Sequence, residues 1–124
     1  MMNLPRILPN LVMGAFALCL LSCKKETQVD ASRALEQSFQ ASEPEAKQAI
    51  ANATTSLKAG IYVEAGRALD PVLAGRKLTL PQRQAVDLMF QQINHAIAAN
   101  PSLDSKELYE LRVRLARAAR GDQL

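Results

Sequence analysis

Residues 79–101, TLPQRQAVDLMFQQINHAIAANP, carry the strongest helical pattern in the chain and decide its fold class. The large apolar residues of this stretch recur every three or four positions, as on one face of a helix: Val86, Met89, Phe90, Ile93 and Ile97. Thr79 and Gln82 have the spacing of a capping box, so the helix should begin beside them. It should end near Asn100, because a residue before proline avoids helical angles and asparagine tolerates a left-handed cap.

The residues that follow predict another helix, packed against the first. Residues 104–107, Asp-Ser-Lys-Glu, are of the types that start helices, and Gly121 is suited to end one. The inner face of this helix would consist of small and aliphatic residues: Leu108, Leu111, Leu115, Ala118 and Ala119.

An earlier pair of apolar stripes predicts a first hairpin. Ser42, Pro44 and Glu45 form a capping-box pattern, so a helix should begin there. The apolar face of this helix comprises Ala46, Ala49, Ile50, Ala53 and Leu57, and Gly60 is suited to end the helix. A second apolar stripe follows Gly60 and comprises Tyr62, Ala65, Leu69, Val72 and Leu73. Pro71 interrupts the second stripe and should kink or end that helix. The simplest interpretation is two antiparallel helices joined tightly at Gly60.

A weaker helical pattern precedes this hairpin, from about Asp30 to Gln40. It either packs on the domain or belongs to a tether. No strand pattern accompanies these helices. We therefore predict an all-α domain over residues 30–124, with four to five short antiparallel helices in two stacked hairpins.

The two predicted hairpins are of similar design, which suggests an internal duplication. Residues 59–65, AGIYVEA, resemble the tetratricopeptide repeat at its glycine, aromatic and alanine positions, and residues 96–101, AIAANP, look like the way such repeats finish. The two matching segments lie in different hairpins. The sequence is therefore compatible with a tetratricopeptide-like stack and with a small helical bundle. The resemblance implies stacked hairpins that form a concave peptide-binding surface.

The amino-terminal residues predict an export signal, because an apolar run over residues 11–21 follows a start that carries Arg6. As a helix, this run would be about 16 Å long against a hydrocarbon layer of about 30 Å, which is too short to span comfortably. Residues 20–23, Leu-Leu-Ser-Cys, resemble the cleavage motif of bacterial lipoproteins. The alternative is an ordinary secretory signal or an uncleaved anchor, with Cys23 there by chance.

The lipoprotein resemblance implies removal of residues 1–22 and a thioether-linked diacylglycerol on Cys23, with a further acyl chain such as palmitate on its new amine. Residues 23–29 would then be the lipidated cysteine and a polar tether. In Gram-negative lipoproteins, an aspartate directly after the lipidated cysteine favours retention in the inner membrane. This chain has Lys24 at that position instead. The expected location is therefore the periplasmic face of an outer membrane, with the lipid as the membrane contact.

The cysteine count and the charge balance do not indicate a particular class of partner. Cys19 lies in the segment that would be removed, so with Cys23 alkylated the mature domain would have no free thiol and no disulfide. The chain has 15 Lys and Arg against 12 Asp and Glu, and Arg6 is lost with the signal. This balance does not require nucleic acid as a partner.

Catalytic and metal-binding residue types are scarce. The chain has one histidine, His95, which should face water, and its carboxylates are spread singly over predicted helix faces. Neither a Gly-rich phosphate loop nor a Gly-x-Ser-x-Gly turn occurs. Because acid–base catalysis needs positioned titratable groups, we expect no enzymatic activity, no metal and no cofactor.

The last predicted helix carries an aromatic and basic face opposite its leucines: Tyr109, Arg112, Val113, Arg117 and Arg120. Tyrosine and arginine are enriched at interface hot spots, and guanidinium groups could also bind lipid phosphates. A structural explanation is also open. Arginines favour the negative end of a helix dipole, and Tyr109 and Val113 would pack on the weak first helix.

Two functions therefore remain open. The first is a lipid-anchored envelope protein whose helical domain binds a protein partner or has a structural role, without catalysis. The second is a carrier of a small apolar or lipid ligand, held between the hairpins in a slot with four lining residues: Leu57, Tyr62, Met89 and Phe90. Ordinary core packing is the competing explanation for these four side chains.

Overall fold

The computed structural model describes residues 30–122, and this part of the chain contains five α-helices, one 3-10 turn and no strand. The helices are α1 (Ala31–Ser38), α2 (Pro44–Lys58), α3 (Tyr62–Leu73), α4 (Leu80–Ala99) and α5 (Lys106–Arg120), with the 3-10 turn at Pro101–Leu103. The predicted all-α class is confirmed. The predicted signal segment, the lipidation site Cys23 and the tether lie outside the described residues. Within residues 30–122, no helix is both long and apolar enough to cross a bilayer.

The helices form a small bundle built from two hairpins. α2 packs against α3 and α4 packs against α5, while α1 lies against both α2 and α4, and α5 also contacts α3. The facing sides bury one core, whose largest side chains are Leu35, Phe39, Leu57, Leu69, Met89, Ile93, Leu108, Leu111 and Leu115. Burying a side chain of this size contributes about 1.5–3 kcal/mol, so apolar packing is the main source of stability in this domain.

Helix α1 belongs to the domain, which answers the question that the sequence left open. Leu35 of this helix and Phe39 directly after it are buried in the core. Gln92 accepts the backbone N–H of Ala31 at 2.8 Å, and Gln82 donates its side-chain amide to the carbonyl of Ser38 at 3.2 Å. These two contacts show that α1 runs antiparallel to α4, with its first residue beside the second half of α4.

The two predicted capping boxes have different outcomes. Thr79 Oγ1 accepts the N–H of Gln82 at 3.2 Å, and the Gln82 side chain accepts the N–H of Thr79 at 3.0 Å, so this box is confirmed. The box predicted at Ser42 is wrong, since Glu43 precedes α2 without a side-chain cap. Ser42 instead donates its N–H to the carbonyl of Phe39 at 3.0 Å, which closes the turn after α1.

The predicted glycine stops are confirmed. Gly60 follows α2 with φ of 77° and Gly121 follows α5 with φ of 88°, both in the left-handed region. Beyond Gly121, the N–H of Asp122 bonds to the carbonyl of Arg117 at 3.0 Å. This is the longer bond of a Schellman motif, which satisfies a carbonyl that the helix end leaves without a partner.

Asn100 departs from the predicted geometry, whereas α3 ends shortly after Pro71. Asn100 ends α4, but its φ of −144° is extended rather than left-handed, and its side chain accepts the N–H of Ser102 at 3.3 Å. Helix α3 continues past Pro71 to Leu73. The proline therefore lies in the last turn of α3.

Gly66 of α3 lies against the side chain of Leu111 on α5. A Cβ atom at this position would lie less than 3.0 Å from three side-chain atoms of Leu111, which is itself buried. Real Cβ atoms essentially never approach other atoms so closely. The absence of a side chain on α3 therefore allows Leu111 to pack against its backbone.

Candidate functional site

The side of α5 that points away from the core presents two large apolar side chains to solvent. Tyr109 is 59% exposed and Val113 is 38% exposed. Arg112, Arg117 and Arg120 lie on or beside the same face, and we call these five residues the α5 outer face. Helix α1 packs against α2 and α4 and leaves Tyr109 and Val113 exposed, so the explanation that they pack on the first helix is wrong.

Arg112 is the least exposed cation of the α5 outer face, and its guanidinium is already engaged. Its Nη1 donates to Oδ1 of Asn94 on α4 at 3.2 Å, and its Nη2 donates to Oδ1 of Asp104 at 2.9 Å. The Arg112 side chain is only 21% exposed, and its guanidinium carbon lies 5.8 Å from the centre of the Tyr109 ring. Arg112 thus joins α5 to α4, and its guanidinium lies within the range of a cation–π interaction with Tyr109.

Arg117 and Arg120 are the solvated cations of this face. Arg117 is exposed, and Arg120, whose side chain is 63% exposed, pairs with Asp122 at 3.0 Å. Both lie in the last turn of α5, where the negative end of the helix dipole favours cations. An exposed ion pair of this kind contributes little to stability, so Arg120 can exchange Asp122 for another anion at low cost.

We expect Arg112→Gln to lower the free energy of unfolding by about 1–2 kcal/mol, because it removes the hydrogen bonds that a largely buried guanidinium donates to Asn94 and Asp104. Urea unfolding followed by the helical circular-dichroism signal measures this. The matched control is Arg117→Gln on the same helix, which should change stability by less than about 0.5 kcal/mol. Equal effects of the two variants would show that Arg112 has no structural role.

The four residues of the predicted apolar slot are not brought together around one described cavity. Leu57 and Met89 are fully buried in the core, and Tyr62 is half-buried. Only Phe90 lines a cavity among those described, an open groove of about 720 Å³ between α4 and α5. The sequence could place these residues on helix faces, but it could not show that the core closes over two of them.

Metal-ligating side chains are not clustered in the part of the chain that the structure describes. Residues 30–122 contain no group of three or more His, Cys, Asp or Glu that could hold a metal ion. His95 is exposed on α4, as predicted. Carboxylates lie instead in exposed or half-exposed ion pairs, such as Asp70 with Arg114 at 3.3 Å, which links α3 to α5.

One feature that the sequence analysis missed is a basic cavity of about 330 Å³ near Arg83. Its basic residues are far apart in the sequence, so no motif identifies them. The available signal was Arg83 itself, a cation in the first turn of a helix, where the helix dipole disfavours positive charge.

No protein-family model, curated protein or solved structure matches this chain.

Proposed function

We propose that this protein is a lipid-anchored protein of the cell envelope, held at the periplasmic face of the outer membrane through Cys23. Its helical domain acts as a non-enzymatic protein-interaction module. The Leu20–Cys23 motif supports the anchor, and Lys24 supports the outer membrane. The observation that carries the interaction role is the exposure of Tyr109 and Val113 on one helix face.

The composition and rigidity of the α5 outer face suit a protein partner. Tyr109, Val113 and Arg117 are spaced by four residues, so they follow one line along α5. Tyrosine supplies a large contact area with few rotatable bonds, and the guanidinium of Arg112, which bonds to Asn94 and Asp104, lies 5.8 Å from the centre of its ring. Less of the binding energy is then lost to ordering the surface.

We expect a short tether on a lipidated Cys23 to keep this face close to the membrane. Residues 23–29 reach at most about 25 Å when fully extended. Ala31 bonds to Gln92 and Arg112 bonds to Asn94, so the start of α1 and the start of the α5 outer face lie at the same height along α4. The partner we propose is therefore an envelope protein in or next to the same membrane.

The alternative function, a carrier of a small apolar ligand between the hairpins, has less support. Leu57 and Met89 would have to leave the core to line a slot, and burial of each contributes about 1.5–3 kcal/mol.

A photoreactive amino acid at position 113, introduced into the full chain and activated in intact envelopes, tests the interaction role. We expect a discrete crosslinked product containing one protein, and we expect Tyr109→Ala to abolish that product. The control is the same amino acid in place of His95, which is exposed on α4 and outside the α5 outer face. The interaction role is overturned if position 113 gives no protein adduct, or the same adducts as position 95, in a normally folded and localised chain.

A further inference from the structure

A basic cavity lies at the end of the domain opposite the start of α1. It is formed by the loop after α3, the first turn of α4 and the last turn of α5, and has a volume of about 330 Å³. Leu73, Leu78 and Ala118 provide apolar walls. Its cationic residues come from all three segments: Arg76, Lys77, Arg83 and Arg120.

The cations of this cavity exceed the carboxylates that face them. Arg76 pairs with Glu43 at 3.0 Å, and Arg120 pairs with Asp122 at 3.0 Å. Arg83 and Lys77 form no ion pair with a carboxylate of residues 30–122. Two positive charges are therefore left uncompensated within the described part of the domain.

The position of Arg83 is not explained by helix electrostatics. Arg83 lies in the first turn of α4 and Lys77 precedes that helix, so both are near its positive end, where cations are disfavoured. Arg83 also folds against the end of α5. A Cβ atom on Gly121 would lie 3.0 Å from Nη1 of Arg83, so the absence of a side chain at Gly121 leaves room for the guanidinium.

We infer that this cavity binds the phosphate group of a small ligand. A guanidinium fork matches two oxygens of a phosphate, and Lys77 adds a point charge beside it. The apolar walls leave space for a short nonpolar part of the ligand. The phosphate would compensate the charges of Arg83 and Lys77, which line the same cavity. Arg76 and Arg120 can turn to it because their ion pairs are solvent-exposed.

Titration calorimetry of the purified full chain with sodium pyrophosphate, at constant ionic strength and in nonionic detergent, tests this site. We expect saturable binding to one site. Arg83→Gln should weaken it roughly tenfold or more, because a charge-assisted hydrogen bond is lost. Lys77→Gln should weaken it less and serves as the second variant if Arg83→Gln folds poorly.

The matched control is Arg33→Gln, which removes the same charge from an exposed position on α1 outside the cavity and should leave the affinity unchanged. A second arm replaces pyrophosphate with vesicles that contain an anionic phospholipid. Binding to vesicles that is lost in Arg83→Gln identifies the phosphate as a lipid headgroup, and binding to pyrophosphate alone identifies a soluble ligand.

The inference is overturned if neither probe binds at millimolar concentration, or if Arg33→Gln weakens binding as much as Arg83→Gln does. Arg120 belongs to both this cavity and the α5 outer face, but the two proposals are tested by different residues. Tyr109→Ala, which should abolish partner crosslinking, should bind pyrophosphate as the unmodified chain does.

Discussion

Replacing Gly66 with valine is expected to lower the free energy of unfolding by about 1–3 kcal/mol, as overpacking of a close helix contact usually does. A Cβ atom alone would already lie less than 3.0 Å from three atoms of Leu111, and valine adds two methyl groups there. Leu111 is buried, so it has little room to move away. For a domain of this size, each kcal/mol corresponds to a shift in Tm of roughly 4–8 °C.

A double-mutant cycle assigns this effect to the contact between α3 and α5. Leu111→Ala alone should cost about 2–5 kcal/mol, because it leaves a cavity. Combined with Gly66→Val it should cost less than the sum of the two single variants, since valine fills space that leucine vacates. Thermal unfolding by circular dichroism measures all three variants.

Ala51→Val, at an exposed position inside α2, controls for the lower helix propensity of valine and should cost less than about 1 kcal/mol. The close-contact explanation is contradicted if Gly66→Val is no more destabilising than Ala51→Val, or if the two effects in the cycle are additive.

Replacing Cys23 with serine is expected to abolish lipid attachment completely. A serine hydroxyl cannot form the thioether that the lipoprotein resemblance implies, because the reaction needs a thiolate. Each buried methylene contributes about 0.8 kcal/mol to membrane binding, so losing two or three acyl chains removes an effectively permanent anchor. Metabolic labelling with an alkyne fatty acid and mass spectrometry of the purified chain measure the change.

The matched control is Cys19→Ser, which alters the other cysteine of the chain, inside the apolar run that precedes Cys23. It should leave both the label and the new amino terminus at residue 23 unchanged. A chain that carries no fatty acid, or one that keeps its label after Cys23→Ser, would contradict the anchor and the membrane-proximal role proposed for the domain.

The long and strongly periodic helices could be predicted from the sequence, because their signals are local. Val86, Met89 and Ile93 recur at helical spacing and are all buried. The cap at Thr79 and the stop at Gly60 depend only on residues a few positions away. Helix α1 could not be settled in this way, since its place in the domain depends on Gln82 and Gln92 of α4.

The failed cap at Ser42 has a similar cause. Its side chain has the right spacing for a capping box, but the backbone N–H of Ser42 closes the turn after α1. The sequence does not show whether Ser42 will belong to the turn after α1 or to the cap of α2. A pattern match therefore predicts that a helix begins nearby, and the neighbouring turn decides how it is capped.

The two candidate surfaces differ in how far the sequence could predict them. The exposure of Tyr109 and Val113 follows from their position opposite the leucines of α5. The hydrogen bonds of Arg112 do not, because Asn94 comes from another helix. The basic cavity depends on contacts between three segments of the chain and on a glycine that admits Arg83, so it becomes visible only after folding.

The docking of α1 has a mechanical consequence for an anchored chain. Any pull on the amino terminus enters the domain at Asp30 and loads α1 first, a helix of 8 residues. The two hairpins are longer and lie beyond it, so tension should peel α1 away while they stay folded. Detachment of α1 would uncover the apolar surfaces of α2 and α4 that Leu35 and Phe39 cover. Tension on the anchored chain would thereby expose hydrophobic surface to solvent.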